Sequence, residues 1–166
     1  MLLKNEGGLL PGGLEKKAAV IGAFARSPRY QGSGSSRVTP IRVDAALDEF
    51  NRAGLNYEYA DGYRLDSDEP DVALIEEACR IAAGKEIVYL FAGLPESYEA
   101  ESFDRDKLSM PESHNRLIEA LSRVNPRLVV ILYGGSAMEI PWAEQAQSIL
   151  LMHLGGEACG AASVDV

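Results

Sequence analysis

The sequence has little of what membrane, secreted and disulfide-stabilised proteins need. Its longest apolar runs, such as residues 128–133, are far shorter than the roughly 20 residues that cross a membrane. Residues 1–6 lack the basic start and apolar stretch of a signal peptide. Two cysteines, Cys79 and Cys159, do not make a disulfide framework. These absences predict no membrane partner and favour a cytoplasmic location.

Histidine and positive charge are also scarce. With two histidines and scattered cysteines, no spacing suits a metal site, and we expect neither a metal nor a cofactor. His114 falls in a helical pattern beside polar residues, which predicts a surface position. The net charge of −9, with no local cluster of Lys and Arg to offset it, repels phosphate backbones and predicts no nucleic-acid partner.

Short apolar runs alternate with helical patterns along the chain, and this alternation is typical of α/β proteins. It predicts a three-layer sandwich, with a mostly parallel open sheet of five to six strands and helices on both faces, as in flavodoxin-like domains. Strands are predicted over residues 18–24, 55–60, 87–92, 128–133 and 148–154, and helices over 39–53, 70–83 and 111–124.

Three loops of unusual content follow predicted strands: residues 27–36, 93–110 and 134–142. Ligands of open parallel sheets gather at the carboxyl ends of the strands, so these loops should share one rim. The first loop is rich in glycine and serine, but it lacks the third glycine and the immediate helix of a dinucleotide fingerprint. Residues 134–138 lack the second glycine of a nucleophile elbow, which disfavours a serine hydrolase.

Polar side chains in two of these loops suit ligand contacts. Arg29, Tyr30 and Gln31 precede flexible glycines and suit contacts with a hydroxyl-rich ligand or with another domain, although a solvated loop is the plainer interpretation. In the second loop, acids at alternate positions precede an Asp-Arg pair. Such an arrangement offers one acid fixed by a salt bridge and one whose environment raises its pKa for proton donation. Taken alone, it indicates only a charged surface loop.

Seven segments together carry a more specific resemblance, because they occur in the order found in one family. They are residues 2–11, 19–25, 29–36, 59–63, 99–105, 140–142 and 155–158. Over nearly its whole length the chain resembles the C-terminal α/β-sandwich domain of glycoside hydrolase family 3, which contains β-glucosidases and related β-glycosidases.

The resemblance implies a retaining mechanism with two carboxylates that hydrolyses terminal, non-reducing β-linked sugars. In this family an aspartate on a preceding (β/α)8-barrel domain is the nucleophile, and a glutamate on the acidic loop is the general acid/base. By motif position that glutamate is Glu101, with Glu99 as the runner-up. Asp104 and Arg105 are expected to fix the loop. Ser102 stands where many relatives have glycine, which implies a stiffer loop.

The resemblance also sets the expected domain organisation. Residues 1–17 are an interdomain segment, and residues 18–166 form the C-terminal domain, truncated at its C-terminal end. A barrel needs ~250 residues, so we expect the barrel, its nucleophile and most of the sugar pocket to lie outside this chain. The expected partners are that barrel domain and a β-linked glycoside, with residues 29–31 touching one or the other. Alone, the chain should be inactive. The alternative is a non-catalytic, flavodoxin-like binding or interaction domain.

Overall fold

The computed structural model of the chain describes residues 1–102 and 104–166. Within these residues the chain forms one sheet of six strands and four α-helices that pack on it. The strands are β1 (Leu2–Asn5), β2 (Ala18–Ile21), β3 (Tyr57–Ala60), β4 (Ile87–Gly93), β5 (Leu128–Tyr133) and β6 (Ser148–His153). The helices are α1 (Ala46–Ala53), α2 (Val72–Ala82), α3 (Glu112–Val124) and α4 (Cys159–Val164).

The sheet has the strand order β1-β6-β5-β4-β2-β3. Strands β2 to β6 are parallel, and β1 pairs antiparallel with β6 at one edge. This arrangement confirms the predicted α/β fold with a mostly parallel sheet. Strand β1 was not among the predicted strands. It is a four-residue edge strand whose two leucines are exposed, so its sequence has no apolar run of the kind that a buried strand shows.

Helices cover both faces of the sheet. Phe50 of α1 packs against Phe91 of β4, with ring centroids 6.3 Å apart, and α1 packs beside α4. On the other face α2 packs on α3. Ile21 of β2 and Leu117 of α3 both lie beside Gly62, so β2 turns Ile21 toward α3. Ile21 pairs with Leu90, the neighbour of Phe91 in β4. Since successive side chains of a strand point to opposite faces, the two helix pairs lie on opposite sides.

The chain reverses its direction of travel across the sheet between β2 and β4. From β2 it moves to β3 on one side, and then to β4 on the other side of β2. Such a switch point leaves a crevice at the carboxyl ends of the two central strands, where open α/β sheets bind ligands. The loops after β2 and β4 are therefore the ones placed to form a site.

Glycines at the ends of β2 and β4 allow the backbones to approach closely at this edge. A Cβ at Gly22 (φ +108°) would lie 2.0 Å from the Phe91 carbonyl oxygen, and one at Gly93 (φ +140°) would lie 1.9 Å from that of Tyr133. Both contacts are far inside van der Waals distance, and both φ values suit only glycine. The two strand ends are thus held at fixed positions beneath the loops.

The structure corrects one predicted helix. The pattern predicts a helix over residues 39–53, whereas α1 begins at Ala46. Before it, the Asp44 N–H donates to the Glu157 carbonyl, and the Asp44 carbonyl accepts from the Gly160 N–H. Backbone hydrogen bonds to the 157–160 segment therefore replace those that a longer helix would make.

The predicted surface position of His114 is also wrong. His114 is 3% exposed, because it lies on the same buried face of α3 as Leu117 and Leu121. Its Nδ1 accepts the Gly93 N–H at 3.3 Å, and its ring packs on Tyr63 with centroids 3.9 Å apart. Burial lowers the pKa of His114 to about 3, so the imidazole is neutral near pH 7.

Among the described residues, no helix is both long enough and apolar enough to span a membrane.

Candidate functional site

The three predicted loops meet at the carboxyl edge of the sheet, which confirms that they share a rim. The Ser33 hydroxyl of the first loop donates to the Glu99 carbonyl of the second at 2.9 Å. The Glu139 N–H of the third loop donates to the Leu108 carbonyl of the second, also at 2.9 Å. The acidic loop therefore lies between the other two, above the switch point between β2 and β4.

Glu99 is turned into the rim and contacts both neighbouring loops. Its side chain is only 10% exposed. Oε1 accepts the Ser136 hydroxyl at 2.7 Å, and Oε2 accepts the Gly135 N–H at 3.0 Å. The Arg29 guanidinium lies 3.7 Å from Oε2. Both carboxylate oxygens are thus used within the domain.

Arg29 is the buried cation of this arrangement, with 7% of its surface exposed. Burial lowers the pKa of its guanidinium, while the negative charge of Glu99 opposes that shift. Its Nε and Nη2 make no hydrogen bond within the described part of the chain. Buried donors without a partner are costly, and the Glu99 carboxylate, 3.7 Å from Nη2, supplies the compensating negative charge.

Glu101 is exposed and contacts the first rim loop. Its Oε2 accepts two hydrogen bonds from Ser35, from the backbone N–H at 2.6 Å and from the hydroxyl at 2.5 Å. These donors stabilise the ionised form and hold the pKa of Glu101 below its ordinary value. Gly34 permits this contact, because a Cβ there would lie 2.4 Å from the Cβ of Glu101.

Tyr30 and Gln31 shape the first loop through mutual contacts. The Gln31 amide donates to the Tyr30 hydroxyl at 2.8 Å and to the Val38 carbonyl at 3.0 Å. The Tyr30 carbonyl accepts the Gly156 N–H. Together with Arg29 both side chains line a small cavity of about 70 Å³. Their contact with substrate or with another domain stays a prediction.

Asp104 and Arg105 follow Glu101 on the acidic loop. The Arg105 guanidinium donates to the Ala137 carbonyl of the third loop. With the hydrogen-bonded pair Tyr98 and Asp68, both residues line an open pocket of about 310 Å³. Their role in fixing the loop stays a prediction. Phe103, part of the same motif, lies outside the described residues.

Sequence reasoning assigned no role to Ser33, Ser35 or Ser136, although these hydroxyls make the contacts that arrange the acidic loop. The one sequence feature that could have indicated this role is their position in two glycine-containing loops that follow predicted strands. No cluster of three or more His, Cys, Asp or Glu residues suited to a metal ion occurs in residues 1–102 and 104–166.

A mostly parallel sheet with helices on both faces, and a long acidic loop at the carboxyl edge of that sheet, define an α/β-sandwich domain. The chain belongs to glycosyl hydrolase family 3, because the family model of the glycosyl hydrolase family 3 C-terminal domain matches residues 1–166. The resemblance deduced from the seven segments is thereby confirmed.

Individual relatives agree with this membership. The chain is 47% identical over 169 aligned residues to thermostable beta-glucosidase B of Acetivibrio thermocellus, covering 100% of this chain and 22% of that protein. It is 40% identical to an exo-alpha-(1->6)-L-arabinopyranosidase of Bifidobacterium longum, covering 100% of this chain and 23% of the relative.

A solved structure shows the same fold. The family 3 beta-glucosidase of Bifidobacterium adolescentis matches 99% of this chain with a TM-score of 0.95 and 42% identity, and the match covers 24% of that protein. The chain therefore spans less than a quarter of the length of each of these relatives.

Proposed function

We propose that this chain supplies the general acid/base, Glu101, to a retaining β-glycosidase whose (β/α)8-barrel domain carries the aspartate nucleophile. The observation that carries the proposal is the difference in exposure between two carboxylates on one loop. Glu99 is enclosed by domain contacts, whereas Glu101 is exposed above the switch point. Only an exposed carboxylate can reach a sugar held by a second domain.

The proposed reaction uses the two carboxyl groups in turn. The aspartate attacks the anomeric carbon while Glu101 donates its proton to the departing glycosidic oxygen. Glu101, now a carboxylate, then takes a proton from water, which attacks the anomeric carbon and releases the aspartate. Retention of configuration requires the two carboxyls to lie about 5–5.5 Å apart.

Glu101 needs a different electrostatic environment for the first of these steps. In the isolated domain the Ser35 donors hold its pKa low, so the residue is ionised near neutral pH. A barrel domain closing over the rim removes water from the carboxylate and brings a second negative charge nearby. Both changes raise the pKa of a carboxyl group. Glu101 therefore becomes a proton donor only when the two domains come together.

The proposed substrate is a terminal, non-reducing β-linked sugar, with an aryl β-glucoside as the first compound to test. The names of the relatives support this choice, since they include beta-glucosidases from several organisms. The arabinopyranosidases among the relatives show that similar domains occur in enzymes for different sugars. Sugar selectivity is therefore assigned to the barrel domain.

The decisive experiment uses a chimaera in which this chain replaces the matching segment of the Acetivibrio thermocellus enzyme. Glu101→Ala should lower turnover of an aryl β-glucoside with a poor leaving group by about 10²- to 10⁴-fold, and a substrate with a good leaving group should lose much less. Azide should partly restore the rate and yield a β-glucosyl azide. Glu96→Ala, on the same loop but paired with Arg37, is the matched control.

Unchanged turnover of the poor substrate in Glu101→Ala would refute the assignment. The 166-residue chain itself provides a second test, because it should release no chromophore from a chromogenic β-glucoside. Turnover above the buffer rate, lost in Glu101→Ala, would show that the chain needs no barrel domain.

A further inference from the structure

We propose that Glu99 is a positioning residue that joins the three rim loops and thereby holds Glu101 in place. We call Arg29, Glu99, Gly135 and Ser136 the Glu99 clamp. The inference deepens the proposed function and rests on it, since positioning Glu101 matters for catalysis only if Glu101 is the proton donor. It gives Glu99 a role other than that of alternative acid/base.

The clamp joins segments that follow three different strands. Arg29 belongs to the loop after β2, Glu99 to the loop after β4, and the Gly135 and Ser136 pair to the loop after β5. Each oxygen of the Glu99 carboxylate accepts a hydrogen bond from the third loop, at 2.7 and 3.0 Å. Arg29 approaches the same carboxylate from the first loop at 3.7 Å.

The environment of Glu99 suits a structural contact better than proton transfer to a substrate. Its carboxylate is nearly buried and faces donors on both sides. Each of its two oxygens already accepts a hydrogen bond from the domain itself, whereas a general acid needs an oxygen that can reach the departing glycosidic oxygen.

The clamp reaches Glu101 through two parallel contacts. The Ser33 hydroxyl donates to the Glu99 carbonyl, and Ser35, two residues further on, donates to the Glu101 carboxylate. The loops therefore run side by side over this stretch, with Gly34 allowing their close approach. If Glu99 is released, the stretch that aligns Glu101 with Ser35 loses its anchor.

The first test measures this alignment in the 166-residue chain, without any reaction. In Glu99→Ala, NMR titration of the Glu101 carboxyl should show its pKa moving up toward the ordinary value, because the Ser35 donors are no longer aligned. The Ser35 amide should also exchange with solvent faster. Glu99→Gln, which keeps the size and one acceptor oxygen, should show a smaller change and serves as the variant for comparison if Glu99→Ala does not fold.

Glu96→Gln is the matched control, since it alters an exposed acid three residues away on the same loop. Neither the Glu101 titration nor the Ser35 amide should change in this variant. If both also stay as in the wild type in the folded Glu99 variants, Glu99 does not position Glu101. This result would overturn the inference whatever the role of Glu101 in catalysis.

The second test measures the catalytic consequence in the chimaera. Displacing a catalytic group by about 1 Å costs on the order of 10²-fold in rate, so Glu99→Ala should lower kcat about 10- to 100-fold with little change in KM. Azide should not restore activity to Glu99→Ala, because Glu101 is still present to serve as acid and base. A wild-type kcat in Glu99→Ala would overturn the catalytic part of the inference.

The pattern of azide rescue separates the possible failures. Rescue of Glu99→Ala but not of Glu101→Ala would make Glu99 the proton donor and would overturn both proposals. If Glu101→Ala keeps full activity while the NMR titration changes in Glu99→Ala, the proposed function fails but the clamp itself is supported.

Discussion

The two ends of the parallel strands are built differently. At the amino ends, the connections between residues 53 and 57, 82 and 87, and 124 and 128 are short, and the Asn125 side chain links two of them. At the carboxyl ends, the loops after β2, β4 and β5 are long and are joined by side chains, with Glu99 at their centre. One edge therefore consists of short connections between consecutive elements, while the other brings together long loops from three strands, a division typical of α/β proteins.

A pair of glycine substitutions should show the contrast most strongly. Gly93→Ala places a Cβ 1.9 Å from the Tyr133 carbonyl oxygen at φ +140°, and we expect a loss of about 3 kcal/mol or more in the free energy of unfolding. At the amino edge, Gly84→Ala also has a positive φ, but its Cβ would meet no described atom within 4 Å. It should cost only about 1 kcal/mol. Urea denaturation of both variants provides the measurement, and equal losses would contradict the proposed difference.

Asn125 tests the opposite edge. It is buried, and its side-chain amide donates to the carbonyls of Ala82 and Lys85 while its oxygen accepts the Arg127 N–H. Asn125→Ala should lower the free energy of unfolding by about 2–3 kcal/mol, since buried polar groups lose their partners. The exposed Asn51 provides the control, because Asn51→Ala should stay within about 0.5 kcal/mol of the wild type. The Glu101 titration should be unchanged in both, and a shift in Asn125→Ala would show that the two edges are coupled.

His114, beneath the carboxyl edge, should make stability depend on pH. Burial holds the pKa of folded His114 at about 3, below its ordinary value of 6.5, so the unfolded chain binds a proton first as the pH falls. The contribution of neutral His114 to the free energy of unfolding is therefore fully present above pH 6.5 and is lost as the pH falls toward 3, with a slope of at most about 1.4 kcal/mol per pH unit.

Replacement of His114 by phenylalanine should flatten this dependence between pH 6.5 and 5, as measured by urea denaturation at several pH values. The other histidine, His153, is exposed at φ +58°, and His153→Asn should leave the slope unchanged. A slope that persists in His114→Phe would assign the pH dependence to other groups.

Ser35 should give the smallest effect. Ser35→Ala removes the hydroxyl donor but keeps the backbone N–H, so the pKa of Glu101 should move part of the way back toward its ordinary value. The pKa should rise, because the Ser35 donors lower it in the wild type and the loss of one donor destabilises the carboxylate. NMR titration of the 166-residue chain measures the shift. Ser36→Ala is the control, since the Ser36 hydroxyl contacts the Ser33 carbonyl instead. A lower Glu101 pKa in Ser35→Ala would contradict the contact.

Much of the fold could be predicted because its signals are local. The continuous apolar run over residues 128–133 has the same bounds as β5, since a strand buried on both faces needs apolar residues at every position. The start of α1 was missed because its position depends on hydrogen bonds to residues 157–160, more than 100 positions further along.

The candidate site was harder to predict for the same reason. The alternate spacing of Glu99 and Glu101 shows that two acids share a loop, but not which of them faces the domain. That depends on Arg29, Gly135 and Ser136, which folding brings together from separate loops. Similarly, the pattern around His114 is polar in sequence, and only the packing of α3 against Tyr63 shows that the residue is buried.

The edge strand β1 also sets an order of events during synthesis. Its only pairing partner in the described sheet is β6, and Ser148 lies 143 positions after Asn5 in the sequence. During synthesis, residues 2–5 therefore leave the ribosome long before β6 does. They stay unpaired while the parallel strands form around β4. We expect this edge to be the last part of the sheet to close, after the crevice above β2 and β4 has taken shape.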